Sequence, residues 1–568
     1  MPVQFSRALA ALLVLAAAVT LAGCATPAAA PAQPTTAAQP AAAAQPSAAP
    51  AGVEPTGAAA QPSAATQQPA AAPASGATPA NVFVMCVNNQ PKNIDPHVGS
   101  SNPEQEQQTA QYDTLLSYED GGFTLAPALA IDWKYSDDQS ELTLTLRDNV
   151  KFHDGSTLTA EVAKFGLERS KTIGQGDSYL LDAVKSISAP DAKTLVLTLN
   201  GPNPEFVYGL TRIFIPSMQA VKDHEVDGDL AKGWFATHEA GSGPYVLADW
   251  VVGQKITLKR FDDYWKGWSG KHPDAFELRV VAEPATQRLL IERGECDYAD
   301  SITRDDLVTM AKNPDIKIEN HESPQPYYIA MNTTKGPLAN PKLREALKYA
   351  FDYDTVIEQA MMGYATKMEG PTPKQLAYHS SALPKPTYDL AKAAQILRDA
   401  GINPEDISLK VIYLQPWVHE KNALLIFQSS LAELGIKLEI EGLPWATVVE
   451  RNGSPDSRPD MSIYALYSPT PSIGAAMYPM LHSGSKHWSY FGYSNPEVDR
   501  LLDEVPTLTD EAKREQGYMD LQKIIDDDSF AIYPFSENNI EVFRSNVQGY
   551  QYRPAWTKLL NYAGLYKD

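Results

Sequence analysis

Several rings and hydroxyls of this chain stand in loop-like surroundings, among small and polar neighbours. The runs are Gln415-Pro416-Trp417, Gly442-Leu443-Pro444-Trp445, Tyr464-Ala465-Leu466-Tyr467-Ser468-Pro469 and His487-Trp488-Ser489-Tyr490-Phe491. A rigid ring offers contact area at small entropic cost, and a hydroxyl gives direction. That chemistry is stacking and hydrogen bonding. Groups for covalent chemistry do not assemble into local motifs. No phosphate-binding Gly/Lys loop and no His-Glu-x-x-His occur, and Gly174-Gln175-Gly176 lacks the third glycine of a dinucleotide site. Gly241-Ser242-Gly243 has the wrong spacing for a nucleophile elbow. Asp526-Asp527-Asp528 lacks the alternation and the glycine of a calcium loop. His482 and His487 flank a Gly/Ser stretch and could meet a metal, but two surface histidines is the plainer reading. A triad built from distant residues leaves no local trace. Cys86 lies in an apolar run, which favours a buried free thiol; a disulfide with Cys296 after export is the alternative. No catalytic residue, cofactor or metal is therefore expected.

Charge and apolarity place this chemistry. The chain of 568 residues carries 47 basic and 69 acidic side chains, a formal net charge of -22. That excess argues against a nucleic-acid partner, which needs a basic footprint. Residues 1–80 hold only Arg7 and Glu54 as charged side chains. After Arg7, the apolar run Ala8 to Val19 is too short for a stable span and suits a secretory signal peptide. It ends in Leu21-Ala22-Gly23-Cys24, which resembles the lipobox of bacterial lipoproteins and makes Cys24 the expected lipidation site. Residues 24–80 are dominated by Ala and Pro, with no aromatic side chain, and read as a disordered linker. The expected localisation is outside the cytoplasm, held by lipid at the outer face of the cytoplasmic membrane.

The remainder reads as mixed α/β. Val82 to Val87 suits a buried strand, while Glu141 to Leu146, Lys193 to Leu199 and Lys255 to Lys259 alternate as half-buried strands. Asn340-Pro341 caps a helix whose Leu343, Ala346, Leu347 and Ala350 share a face. Leu390 to Ala400 is helical and stops at Gly401. Asn495-Pro496 opens another helix, with Val498, Leu501 and Leu502 on one side, and Glu511 to Asp527 repeats the pattern with Leu521, Ile524 and Ile525.

Short signatures then accumulate in order. They are Asn93-Ile94-Asp95-Pro96-His97, Tyr112-Asp113-Thr114-Leu115-Leu116, Val150-Lys151-Phe152-His153-Asp154-Gly155, Gly241-Ser242-Gly243-Pro244-Tyr245, Tyr264-Trp265, Gly294-Glu295-Cys296-Asp297, Asn332-Thr333, Leu343-Arg344-Glu345-Ala346-Leu347, Leu434-Gly435-Ile436 and Tyr493-Ser494-Asn495-Pro496-Glu497. Together they resemble the family 5 extracellular solute-binding proteins, receptors of ABC importers that include oligopeptide and dipeptide receptors. The resemblance implies a two-lobed periplasmic-binding-protein-like α/β fold of type II with an extra inserted domain. Residues 1–23 are then the signal peptide, and 24–80 the lipidated Cys and linker. Lobe I is discontinuous, at 81–125, 240–331 and 540–568; 126–239 is the inserted domain; 332–539 is lobe II.

It further implies a non-enzymatic monomer that closes over a small solute and delivers it to a membrane permease complex. The expected ligand contacts are Tyr464, Tyr467 and Ser468, then Trp417, Trp445, Tyr327 and Tyr328. Asn93, Asp95 and His97 are expected to shape the first strand-to-loop turn. Peptide-binding relatives carry an Asp in the stretch comparable to 464–471, where it pairs with the ligand's ammonium; here Ser468 and Thr470 stand instead. An oligosaccharide fits that chemistry better than an oligopeptide, because a buried ammonium without a carboxylate costs several kcal/mol. The alternatives are a surface-anchored hydrolase with a dispersed active site, and a metal- or haem-binding receptor of the same family.

Overall fold

A computed structural model describes residues 81–568, except 100, 269, 416, 467, 469 and 486–491. The expected signal peptide, Cys24 and linker lie outside the described residues.

One mixed sheet runs through the molecule. In spatial order its main strands are Lys437–Leu443, Ser408–Leu414, Met461–Ala465, Ile316–Met331, Ser536–Arg544, Tyr298–Ala299, Val82–Val87, Ala275–Val280, Lys255–Arg260 and Tyr245–Val251. Continuity depends on Ile316–Met331, whose 16 residues reach about 50 Å. Its first half pairs antiparallel with Ser536–Arg544, its second with Met461–Ala465. Register slips between His321 and Gln325, around Pro324, which has no N–H to give a ladder. The sheet therefore splits into two halves joined by two long strands, and each half has its own core.

In the lobe II half, strand alternation sends neighbouring residues to opposite faces. Tyr327, Ile329 and Met331 face the helices Pro341–Ala350, Leu390–Asp399 and Val418–Leu434. Tyr328 and Ala330 face Ile473–Leu481, Pro496–Glu504 and Glu511–Asp528. The helix punctuation read from sequence is realised: Asn340 Oδ1 accepts the Lys342 N–H at 2.9 Å, and Gly401 takes φ 67° just past its helix.

In the lobe I half, Val82–Val87 pairs parallel with both Ala275–Val280 and Tyr298–Ala299. Cys86 does not stay a free thiol. It is bonded to Cys296, with Cα atoms 5.9 Å apart. The apolar run correctly predicted burial; the parallel pairing that brings residue 296 alongside has no local sequence signal.

Residues 130–199 form a separate four-stranded antiparallel sheet, ordered Ala130–Tyr135, Glu141–Leu146, Thr194–Leu199, Val184–Ser188, under the helix Ala160–Ile173. A buried ion pair fastens this unit to lobe I. Arg169 reaches Asp95 with both Nη atoms, at 2.9 and 2.6 Å, and both side chains are fully shielded. Arg169 also donates to His97 Nδ1 at 3.0 Å, so the other ring nitrogen carries hydrogen and donates to the Phe214 carbonyl at 2.9 Å. Burial first, then Arg169, pulls the His97 pKa down to about 4. Asp95 and His97 thus serve the turn and the domain junction, and His97 stays neutral.

Candidate functional site

Three parallel strands of lobe II, Ser408–Leu414, Lys437–Leu443 and Met461–Ala465, end at one edge. Ligands of open α/β sheets bind beyond such carboxyl ends. The segments after these strands carry Trp417, Ser468 and Trp445, which opens the helix Trp445–Gly453 rather than lying in a loop, and the Gln415 N–H donates to the Leu443 carbonyl at 3.0 Å, which ties two of the strand ends together. Trp417 and Trp445 keep 36% and 47% of their surface exposed, unusual for the largest apolar side chain and suited to stacking.

Tyr327 enters the same edge on the antiparallel neighbour, opposite Ala465. Its hydroxyl donates to Glu537 at 3.3 Å and lies 3.2 Å from His419 Nε2. The Trp417 ring stands edge-on to Tyr327 and parallel to His419. Tyr328 points the other way. It is wholly buried, donates to the Pro371 carbonyl at 2.7 Å and stacks near Tyr464, so its ring is committed to the core. Tyr464 leans on Met480 Sδ, and Ser468 Oγ donates to the Thr470 carbonyl. Tyr467 lies outside the described residues, as does His487. His482 is 3.3 Å from Asp503 and stacks on Tyr478.

Lobe I presents the matching edge. Val82–Val87, Ala275–Val280 and Tyr298–Ala299 are parallel, and a cavity of about 300 Å³ opens past their carboxyl ends. Its charged lining is Glu106, Asp300, Arg304, Glu537, Glu541 and Lys558. Glu537 is the hub. It lies on one of the two strands shared by the lobes and meets Arg304, Lys558 at 3.7 Å and the Tyr327 hydroxyl. Burial alone would raise its carboxyl, but Lys558, Arg304 and His419 outweigh burial and hold it at about 2.

The other carboxyls lack such partners. Asp300 accepts both bonds from the Asn88 N–H, at 2.9 and 3.0 Å, and one from Gln287 at 2.9 Å. Glu541 accepts from the Tyr298 hydroxyl at 2.6 Å and from Asn539 at 3.0 Å. Glu106 accepts a 3.3 Å bond from the Leu560 N–H. Burial dominates for Glu541 and Glu106 and pushes them up to about 7 and 8 respectively, while Asp300 is exposed. Neutral donors do not offset the desolvation of a charge.

A second space, of about 620 Å³, lies between residues 123–208 and lobe II, walled by Phe123, Trp133, Tyr208 and Tyr378. Glu205 spans it, accepting from the hydroxyls of Ser472 and, at 2.9 Å, Tyr518. Among the described residues no three His, Cys, Asp or Glu side chains converge as metal ligands, and no helix is long and apolar enough to cross a membrane.

Of the residues expected from sequence, Trp417 and Trp445 are exposed beyond the strand ends, and Tyr327 and Tyr328 are buried. The charged half of the site escaped sequence reading because Glu106, Asp300, Arg304, Glu537, Glu541 and Lys558 come from segments far apart in the chain. The one local hint is Ser536-Glu537-Asn538-Asn539-Ile540-Glu541, a polar run between apolar stretches.

Residues 124–488 match the family pattern described as "Bacterial extracellular solute-binding proteins, family 5 Middle". The chain is 29% identical over 496 residues to the probable D,D-dipeptide-binding periplasmic protein DdpA of Escherichia coli, covering 86% of this chain and 95% of that protein. It is 28% identical over 493 residues to the glutathione-binding protein GsiB of Pectobacterium atrosepticum, with 85% and 93% covered. Among solved structures, the ABC transporter substrate-binding protein CtaP of Listeria monocytogenes superposes with a TM-score of 0.78 at 22% identity, over 86% of this chain and all of that one. NikA of Brucella suis, in complex with Fe(III)-EDTA, gives 0.78 at 21% identity over the same shares. At those identities the two structures speak for the two-lobed fold alone.

Proposed function

We propose that this chain, which belongs to the family 5 bacterial extracellular solute-binding proteins, captures a short peptide between its lobes and hands it unaltered to an ABC importer. The carrying observation is that the carboxyl ends of the parallel strands of both lobes flank the same shared strands, with aromatic rings on one side and a charged cavity on the other. Hinge bending at the two crossings closes such a cleft and creates the surface a transporter reads. The names of the similar proteins DdpA and GsiB favour a peptide over the oligosaccharide suggested by Ser468 and Thr470. A cavity rich in carboxyls also fits a zwitterion better than a sugar. Trp417, Trp445 and Ser468 then contact the solute from lobe II.

The same reading includes an acylated Cys24 that holds the protein at the outer face of the cytoplasmic membrane. Radiolabelled fatty acid should enter the wild type and not Cys24→Ser. Native mass spectrometry of protein purified from its own cells tests the main proposal. An intact short peptide, released on unfolding, is the expected companion; a bound sugar, or a peptide hydrolysed on incubation, overturns it.

A further inference from the structure

Glu205 joins two parts of the molecule that must separate for the cleft to open. Its own side is firmly mounted. Phe206 and Val207, next in the chain, are buried in the core of the four-stranded antiparallel unit. The Tyr135 hydroxyl staples the turn on both sides of Glu205, donating to the Asn203 carbonyl at 3.0 Å and accepting the Val207 N–H at 3.1 Å. The same unit is fixed to lobe I by the buried Asp95–Arg169 pair.

Lobe II holds a seat ready for the carboxyl. Ser472 caps the helix Ile473–Leu481, its Oγ accepting the Ala475 N–H at 3.2 Å while its hydroxyl hydrogen goes to Glu205. Tyr518 donates to the same Glu205 oxygen at 2.9 Å. Its ring stacks on Tyr378 with centroids 5.7 Å apart, and Gly474 leaves room for its hydroxyl, which a Cβ there would approach to 2.7 Å. Arg514 is anchored on the Leu508 carbonyl at 2.6 Å. Its Nε is shielded, makes no hydrogen bond and stands 3.9 Å from the other Glu205 oxygen. We propose that Glu205 is a clasp that fastens the antiparallel unit, and with it lobe I, to lobe II, and so sets how far the cleft stands closed.

Hydrogen bonds of this kind are individually modest, which suits a device that must also let go. An approach about 1 Å closer would give Arg514 Nε its missing acceptor, so the clasp has room to tighten. Burial raises the Glu205 carboxyl, with Ser472, Tyr518 and Arg514 opposing. The titratable groups around it are Tyr135 and Tyr208 on its own side and Arg514, Tyr518 and Tyr378 on lobe II. Tyrosine and arginine hold their charge below pH 8, so the clasp closes at least cost in acid, where the carboxyl takes up a proton.

Single-molecule energy transfer tests this on the full chain freed of solute, with fluorophores attached through azide-bearing residues introduced at the exposed Lys185 and Lys392, at pH 5 and pH 8. Wild type should show a closed population that is larger at pH 5. Glu205→Ala should lower its closed-to-open ratio at pH 5 by ~10-fold, and Tyr518→Phe by ~3-fold. Glu205→Gln keeps an acceptor for both hydroxyls and should stay as closed as the wild type at pH 5. The double variant Glu205→Ala/Tyr518→Phe should open no further than Glu205→Ala, because both act through one contact. No closed population in the wild type, an unchanged ratio in Glu205→Ala, or losses that add in the double variant overturn the clasp. Should Glu205→Ala fail to fold, Tyr518→Phe decides alone, and an unchanged ratio there overturns it. None of these outcomes depends on which solute the cleft takes, so peptide capture stands or falls separately.

Discussion

Glu420 gives a sharp test of how burial governs this protein. It sits in the first turn of Val418–Leu434 and is 0% exposed. One oxygen accepts the Leu414 N–H at 2.9 Å, and the other makes no hydrogen bond. Burial, partly offset by that bond and reinforced by Glu537, pushes its carboxyl up to about 8. The folded protein must therefore take up a proton there that the unfolded chain, near 4.5, does not hold at neutral pH. A raised carboxyl costs nothing below the unfolded value. Its cost then grows by about 1.4 kcal/mol per pH unit and levels off near the folded value. At pH 7 that comes to roughly 3 kcal/mol. Glu420→Gln keeps the acceptor and the shape but needs no proton. It should stabilise by up to ~3 kcal/mol at pH 7 and by nothing measurable near pH 4.5. Urea midpoints of both proteins across pH 4.5–8 measure it. A variant that is less stable at every pH, or whose advantage does not change with pH, refutes the reasoning.

Other substitutions probe the joints of the fold and the mouth of the site. Asp95→Asn or Arg169→Met leaves one buried charge unanswered between lobe I and residues 130–199; each should lower unfolding stability by about 3–5 kcal/mol in denaturant titration. The Cys86–Cys296 bond closes a separation of 210 residues, so the Cys86→Ser/Cys296→Ser pair should cost ~3–5 kcal/mol and make melting insensitive to reductant. Trp417→Ala and Trp445→Ala remove exposed rings. They should leave the melting temperature almost unchanged yet weaken binding of the co-purified solute by about tenfold or more, read by calorimetry.

Local signals carried the fold a long way and then stopped where distant segments meet. Caps and periodicity sufficed for the helix at Pro341–Ala350, because Asn340, Pro341 and the apolar stripe act within a few residues of one another. Alternation sufficed for Glu141–Leu146. The ordered signatures carried the two-lobed architecture. The Cys86–Cys296 bond was not legible, since it depends on parallel pairing across 210 residues. For the site, loop context picked out Trp417 and Trp445 correctly as exposed rings. It could not tell that Tyr327 and Tyr328 are both covered: alternation says they face opposite sides of a sheet but not that each side holds a helix layer closed over the ring. Acids are legible in sequence only when their partners are near; Asp300 and Glu541 gain their character from a cavity that exists only after the sheet has formed.

The two halves of the cleft use different physics, and the hinge strand couples them. The exposed rings of Trp417 and Trp445 in lobe II would gain by contact area, which many solutes can supply. Buried carboxyls in lobe I, Glu106 and Glu541, answer desolvation by holding a proton more tightly. Glu537 stands between them, held ionised by Arg304 and Lys558 while touching the Tyr327 hydroxyl. Tyr327 and Glu537 lie on the same side of the slip between His321 and Gln325, held in register by the pairing of Gln325 with Glu537 and of Pro326 with Ser536, while Arg304 and Lys558 reach Glu537 from lobe I. A change in the angle between the lobes at that slip would act on the ion pairs that Glu537 makes with Arg304 and Lys558.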